Sequence, residues 1–485
     1  MNREFLINVL FLVFVNLLVK PFYVFGIERT IQDTVGPESY GLYATLFSFS
    51  LLLFMVNDFG IHYFNNTHIA RHPRLISKYF PNLSLLKILL GGLYLALLFL
   101  LAWLRGFETS VLPLLFFVAL NQLLVSWVAF LRSNVSALGM YRSDSLLSML
   151  DKLLLSGLCA LLLWGPLAPG YFRIEWLVYA QSIAWLLTSL AAFFIVKKHL
   201  QQPIRLRLRR PVLAFFIKKS APYALAVFLM AAYTRLDMVL LEWLLPDGRR
   251  EAGIYAAAFR LLDAFNAIGL LSAGLLLPMF SSLLNQRDLK AAESLLQTGF
   301  QLIWAGSATL ALACFFFQTE LMHWLYPETA TPYYGEVLAF VILTLVPFSG
   351  LFIYSTLLTA NGSLKKMNFV FLVGIAINLS LNLLLIPGWK AVGAGIAALA
   401  TQAAVLAGMV VLVRSELGLK PGNAQSLRVL GFAGLLALAN LGICQLPLAN
   451  WLVKFCLCLL AGGLLALLLN LVKVNNLPSL IRRSR

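Results

Sequence analysis

The chain has 485 residues, of which 61% are hydrophobic and 12% charged, and its mean hydropathy is +0.86. Soluble domains run nearer half apolar and a quarter charged, so a soluble fold is excluded and an integral membrane protein is indicated. The net charge of +17 would suggest nucleic acid in a soluble protein. In a membrane chain it reads instead as basic cytoplasmic loops, and no nucleic-acid partner is expected.

A membrane-crossing helix needs about 20 mostly apolar residues, and about fourteen stretches qualify. The opening "MNREFLINVLFLVFVNLLVKPFYVF" is too long for the apolar core of a signal peptide, and no small-residue cleavage site follows. It is expected to be a first span, 5–25, with Lys20 inside it. The next spans are predicted at 40–61, 79–103, 111–131, 146–164 and 176–196. The stretch "GIERTIQDTVGPES" reads as the outer connector between the first two. Asp58 in "NDFGI" reads as a helix-end residue. Lys87 and the Asp151–Lys152 pair read as lying towards the inner boundary, where a long side chain snorkels to water.

A basic segment, "KKHLQQPIRLRLRRPVLAFFIKKSAP", holds eight Lys and Arg and no acid. It reads as a cytoplasmic linker on anionic headgroups. Further spans follow at 221–245, 253–280, 300–320, 335–360, 367–387, 391–413, 427–447 and 450–472. With the N-terminus inside, basic residues favour the inner loops by roughly four to one, as the positive-inside rule requires. Both termini are therefore expected in the cytoplasm.

Residues 41–48, "GLYATLFS", and 253–260, "GIYAAAFR", each open a span after a polar outer segment. Duplication predicts two parallel six-span lobes, with the division 1–196, linker 197–220, 221–413, and 414–485 for two added spans and a basic tail. Repeat-built transporters place substrate sites between their halves near the midplane.

The charges inside the spans are the candidate site. Lys20, Arg235 and Arg260 fall within about 15 Å of the outer boundary at 1.5 Å per residue. Facing lipid they would be prohibitive, so they are expected to line a water-filled central cavity. Arg235 and Asp237 are about 200° apart on one helix and pair poorly. Depth-matching suggests Arg235 with Asp263 and Asp237 with Arg260. Asp237, Asp263 and Glu242 are the carboxylates expected to pair with these cations or to bind a proton or Na⁺.

Other motifs carry less. The five cysteines sit in apolar runs and read as small buried hydrophobes. His62, His68 and His72 share an inner loop with no Cys or carboxylate beside them, so a polar loop is expected and no metal site. "VGAGIAALA" at 392–400 matches a dinucleotide-binding pattern, but it opens a long apolar stretch where small residues let helices approach. No G-x-x-x-x-G-K-[ST] occurs, which excludes an ATP-driven pump within this chain. No cofactor is expected.

Three stretches together resemble the multidrug/oligosaccharidyl-lipid/polysaccharide (MOP) flippase superfamily, in its bacterial polysaccharide-export branch, which includes O-antigen flippases. They are "GPESYGLYATLFSFSLLLFMVNDFGI", "KKSAPYALAVFLMAAYTRLDMVLLEWLL" followed by "GIYAAAFRLLD", and "TLLTANGSLKKMNFVFLVGIAINLSLNLLLIPGWKAVGAGIAALATQ". The resemblance implies an all-α polytopic fold of about 14 transmembrane helices, two pseudo-symmetric six-helix lobes around a cationic cavity plus two C-terminal helices. It implies alternating access that moves a polyprenyl-diphosphate-linked glycan to the outer leaflet of the bacterial inner membrane. By position, Lys20, Arg235 and Arg260 match cavity cations of that branch. Diphosphate chemistry agrees, because arginine holds such a group bidentately, and flipping breaks no bond and needs no catalytic residue. A monomer is expected, since two lobes complete the cavity. The alternatives are a multidrug/cation antiporter, a lipid II flippase, and a membrane-embedded polysaccharide polymerase. The antiporter calls for surplus acids, and the polymerase for a large outer loop.

Overall fold

In hydrocarbon an apolar chain satisfies its backbone internally, as helix or closed barrel, and the long unalternating runs of this sequence leave the helix. The computed structural model describes residues 19, 21–61, 76–165, 171–200, 210–419 and 423–471, and every regular element among them is helical. Helices occupy each predicted span from the second to the fourteenth. Among the described residues nine helices, or ten with one bent pair, are long and apolar enough to cross a membrane. Lys20, most of the first span, the loop of His62, His68 and His72, part of the basic linker and the C-terminal tail lie outside the described residues.

The chain divides into two compact units, 1–239 and 240–485. In the first, a π-helical segment (Phe22–Glu28) leads into α1 (Arg29–Leu52), followed by α2 (Phe54–Asp58), α3 (Ile76–Arg105), α4 (Leu112–Ala137), α5 (Tyr141–Leu163), α6 (Ile174–Lys198) and most of α7 (Arg210–Leu244). Helix α3 illustrates how the faces are sorted. Tyr94, Leu98 and Ala102, four apart, are fully buried, while Trp103 is 75% exposed. An apolar ring that open on a spanning helix faces lipid. Towards one end, Phe80 stacks on Phe130 with centroids 5.5 Å apart, within a cluster that includes Leu86, Leu131, Leu147 and Val196.

The connector expected at "GIERTIQDTVGPES" is not a loop. Helix continues to Gly36, whose φ of 77° and ψ of 168° break it in one residue, and Pro37 opens the next turn. Glu28, Gln32 and Asp33 are buried along the extension, and Tyr40 donates to Glu28 Oε1 at 3.3 Å. Part of the polar composition that suggested a loop belongs to these side chains, buried along a helix. Only glycine adopts that φ without strain, so Gly36→Ala is expected to cost about 1 kcal/mol or more, read as a lower midpoint of thermal unfolding in detergent.

The second unit contains α8 (Gly248–Asn285), α9 (Leu289–Phe316), α10 (Gln318–Leu325), α11 (Pro332–Leu343), α12 (Leu345–Ala360), α13 (Leu364–Leu417), α14 (Asn423–Cys444) and α15 (Trp451–Leu468). Predicted spans eleven and twelve run together as α13 and are separated only by Lys390, at φ 49° and ψ −131°. Helix α8 bends by 40° between Gly248–Ala267 and Ser272–Asn285. Gly269 lies in the bend, where a Cβ would stand 2.6 Å from Phe352 Cδ2. The last two helices pack on α9: Trp304 meets Phe432 at 6.1 Å. Within the first of the two similar segments Tyr43 packs 6.0 Å from Phe47, and within the second Tyr255 packs 5.9 Å from Phe259.

Candidate functional site

Helix α7 carries the charged stretch "AYTRLDMVLLEWLL". Thr234 bonds back to the Met230 carbonyl at 2.9 Å, which satisfies its hydroxyl inside the helix. Asp237 is 1% exposed and Arg235 is half-buried, in keeping with opposite sides of one helix. One residue on, Met238 is gripped by α1: Thr45 Oγ1 donates to its carbonyl at 3.4 Å, and Ser48 Oγ reaches its sulfur at 3.3 Å. On α8, Arg260 is half-buried and Asp263 exposed, so residues three apart sit in different surroundings. Glu242 lies 3.4 Å from Arg249, across the turn that joins α7 to α8.

Two further ion pairs, Lys87–Asp58 and Lys152–Asp151, join charged side chains of the first unit, and the first of them was not read from the sequence. Lys87 does not snorkel. Its ammonium lies 2.9 Å from Asp58 Oδ1, with side chains 2% and 6% exposed. Ser126 of α4 accepts from Lys87 and donates to Asp58 Oδ1 at 3.1 Å. The other carboxylate oxygen accepts from the Gly60 amide at 3.1 Å. Asp58 ends its helix, as expected, and also holds α3 and α4 against it. Lys152 stands at the middle of α5, eleven residues from either end, beside Asp151 at 3.5 Å. Its ammonium sits 4.8 Å from the centre of the Tyr23 ring and 5.4 Å from that of Trp185.

At the break in α13, Lys390 meets Asp247 Oδ2 at 2.6 Å and Glu251 Oε1 at 3.6 Å. The buried Glu251 accepts from the Tyr333 hydroxyl at 2.7 Å and the Ala391 amide at 3.3 Å. A non-glycine residue at positive φ persists where its surroundings over-determine it, and these four contacts do so here. The hydrogen bond from Lys390 holds the Asp247 carboxyl below the ordinary carboxylate range. Stability from a depressed carboxylate is full above its unfolded pKa and is lost as pH falls through the folded value. Asp247→Asn is therefore expected to lower the unfolding midpoint slightly at neutral pH, by under about 1 kcal/mol for an exposed pair. The difference should vanish at pH values below the ordinary carboxylate range, which a pH series of melts on both proteins would check.

Among the described residues no three His, Cys, Asp or Glu side chains come together as a metal site. Cys159, Cys314 and Cys458 are buried thiols, and Cys444 and Cys456 are also unbridged.

A family model described as "Polysaccharide biosynthesis protein" matches residues 5–284. Among solved structures, the chain is similar to a lipid II flippase MurJ in an inward closed conformation, with TM-score 0.72 and 14% identity over 94% of this chain and 98% of that one. It is also similar to a multidrug resistance MATE transporter of the MOP superfamily in an inward-facing conformation, with TM-score 0.67 and 14% identity over 81% and 94%. A third is a MOP superfamily transporter from Pyrococcus furiosus, with TM-score 0.57 and 13% identity over 85% and 95%. A comparison with curated proteins finds no match. The all-helical fold is shared with these transporters along most of the chain, and the family model covers more than half of it, so the chain belongs to the polysaccharide biosynthesis protein family.

Proposed function

We propose that this multi-pass membrane protein is a flippase that moves a polyprenyl-diphosphate-linked oligosaccharide from the cytoplasmic to the outer leaflet of a bacterial inner membrane. It would act in the assembly of a surface polysaccharide such as O-antigen, as a monomer with both termini in the cytoplasm. The observation that carries this reading is that the family match at 5–284 covers helices with arginines set deep in apolar segments, Arg235 on α7 and Arg260 on α8. An anionic diphosphate must pass an apolar barrier, and a guanidinium can accompany it with paired hydrogen bonds. Lys20, Arg235 and Arg260 are assigned to the diphosphate. Asp237 and Asp263 balance the arginines in the unloaded protein or take up a proton or Na⁺ during alternating access. Glu242, beside Arg249, anchors the turn between α7 and α8. Transport needs only that cargo and coupling ion favour different conformations.

The similarity to a lipid II flippase over 94% of the chain favours one second reading, in which lipid II is the cargo. Both readings are tested in proteoliposomes with fluorescent lipid-linked glycans. Transfer of a polyprenyl-diphosphate oligosaccharide, without transfer of lipid II or a lipophilic cation, supports the first. Preference for lipid II transfers support to the second. Transport of the cation alone would abandon both in favour of an antiporter.

A further inference from the structure

Helix α5 has two faces that composition alone does not separate. Leu146, Leu153 and Leu161 are exposed and form a lipid-facing stripe. Ser145, Ser148, Lys152 and Ser156 recur at spacings of three and four, which places them within about 80° of one another on a helix of 3.6 residues per turn. The centre of that polar stripe is Lys152. A lysine facing hydrocarbon at mid-helix is costly and rare. Here its ammonium is held above Tyr23, on the π-helical segment, and Trp185, on α6.

Three features distinguish this place from the sealed Lys87–Asp58 pair. The Lys152 side chain keeps 28% of its surface exposed, against 2% for Lys87. One turn along the same stripe, Ser156 is 6% exposed and its hydroxyl has no hydrogen-bond partner among the described residues. Tyr23 belongs to a π-helical segment seven residues long, and π-helical turns inside α-helices are frequent at functional sites. An ammonium with three donors, a hydroxyl donor one turn away and two aromatic faces form a recognition surface for a phosphate oxygen beside a polar, ring-bearing group.

We infer that Lys152, supported by Tyr23 and Trp185 and flanked by Ser156, is a binding residue for the diphosphate of the lipid-linked cargo within the first unit. This inference rests on the flippase reading and adds a site to it, on a helix far in sequence from Arg235 and Arg260. The rings hold the ammonium at mid-helix, and Asp151 balances it in the absence of cargo.

The test is binding of polyprenyl diphosphate, without sugar, to the full-length protein in nanodiscs, with the matching polyprenol beside it. Wild type should bind the diphosphate more tightly. Lys152→Gln should lose roughly tenfold or more of that preference, the scale of a hydrogen bond to a charged group, with polyprenol binding and the melting midpoint unchanged. Lys152→Arg should restore most of it. Ser156→Ala, which removes one hydroxyl, should lower the preference a few-fold and covers the case in which Lys152→Gln does not fold. Wild-type preference in Lys152→Gln, or in Ser156→Ala should Lys152→Gln not fold, overturns the inference while leaving the flippase reading intact. A wild-type protein that does not distinguish diphosphate from polyprenol overturns both.

Discussion

Lys87→Met should destabilise the protein by about 3–5 kcal/mol, because it takes the Lys87 ammonium away from the buried Asp58 carboxylate. The pair is 2.9 Å apart and nearly sealed from solvent, so water cannot take the place of the ammonium. Ser126 and the Gly60 amide would still donate to the carboxylate, but neutral donors do not replace a charge. The double variant Lys87→Met/Asp58→Asn should recover most of the loss, since removing both members of a buried pair is often close to neutral. Melting midpoints of the purified single and double variants measure this as a mutant cycle. A single variant as stable as wild type would mean that the pair does not hold α3 to the end of the preceding helix.

Arg235→Gln should reduce transport of the lipid-linked oligosaccharide by roughly tenfold to a hundredfold, the range for one lost hydrogen bond to a charged group. Arg235→Lys should retain part of the activity, because a point charge survives while the bidentate fork is lost. The readouts are cargo transfer in proteoliposomes and surface polysaccharide in cells that depend on this protein. The free energy of unfolding should stay within about 1 kcal/mol of wild type, because a half-buried arginine leaves no sealed cavity behind. Asp237, at 1% exposure, should behave differently: Asp237→Ala is expected to lose stability together with activity. Full transport by Arg235→Gln would remove the arginine from the cargo path and return the "TRLD" stretch to a purely structural role.

Much of this molecule follows from local properties of the chain. Helix positions agree with hydropathy from the second predicted span onward, because span length is set by bilayer thickness and needs no knowledge of neighbours. The misread connector at 26–39 shows where that logic stops. Glu28, Gln32 and Asp33 are polar by composition and buried by packing, and a window average does not separate a solvated loop from a hydrogen-bonded helix extension. Gly36 followed by Pro37 was the one local signal, and it marked the break to the residue.

The candidate site divides the same way. Arg235, Asp237 and Arg260 stand out in the sequence because an ionised group in an apolar run is expensive wherever it points. The environment of each charge is not a local property. Asp58 and Lys87 are 29 residues apart, and Lys390 reaches Asp247 across 143. Sequence depth alone offered Lys87 and Lys152 the cheaper alternative of snorkelling to the interface. By itself, then, the sequence determined a polytopic helical membrane protein with basic groups in its spans, since length, hydropathy and charge cost add residue by residue. Only the tertiary structure decided that Lys87 is sealed against Asp58 while Lys152 stays open between two rings, because pairing depends on which helix faces meet, and those contacts are made between distant parts of the chain.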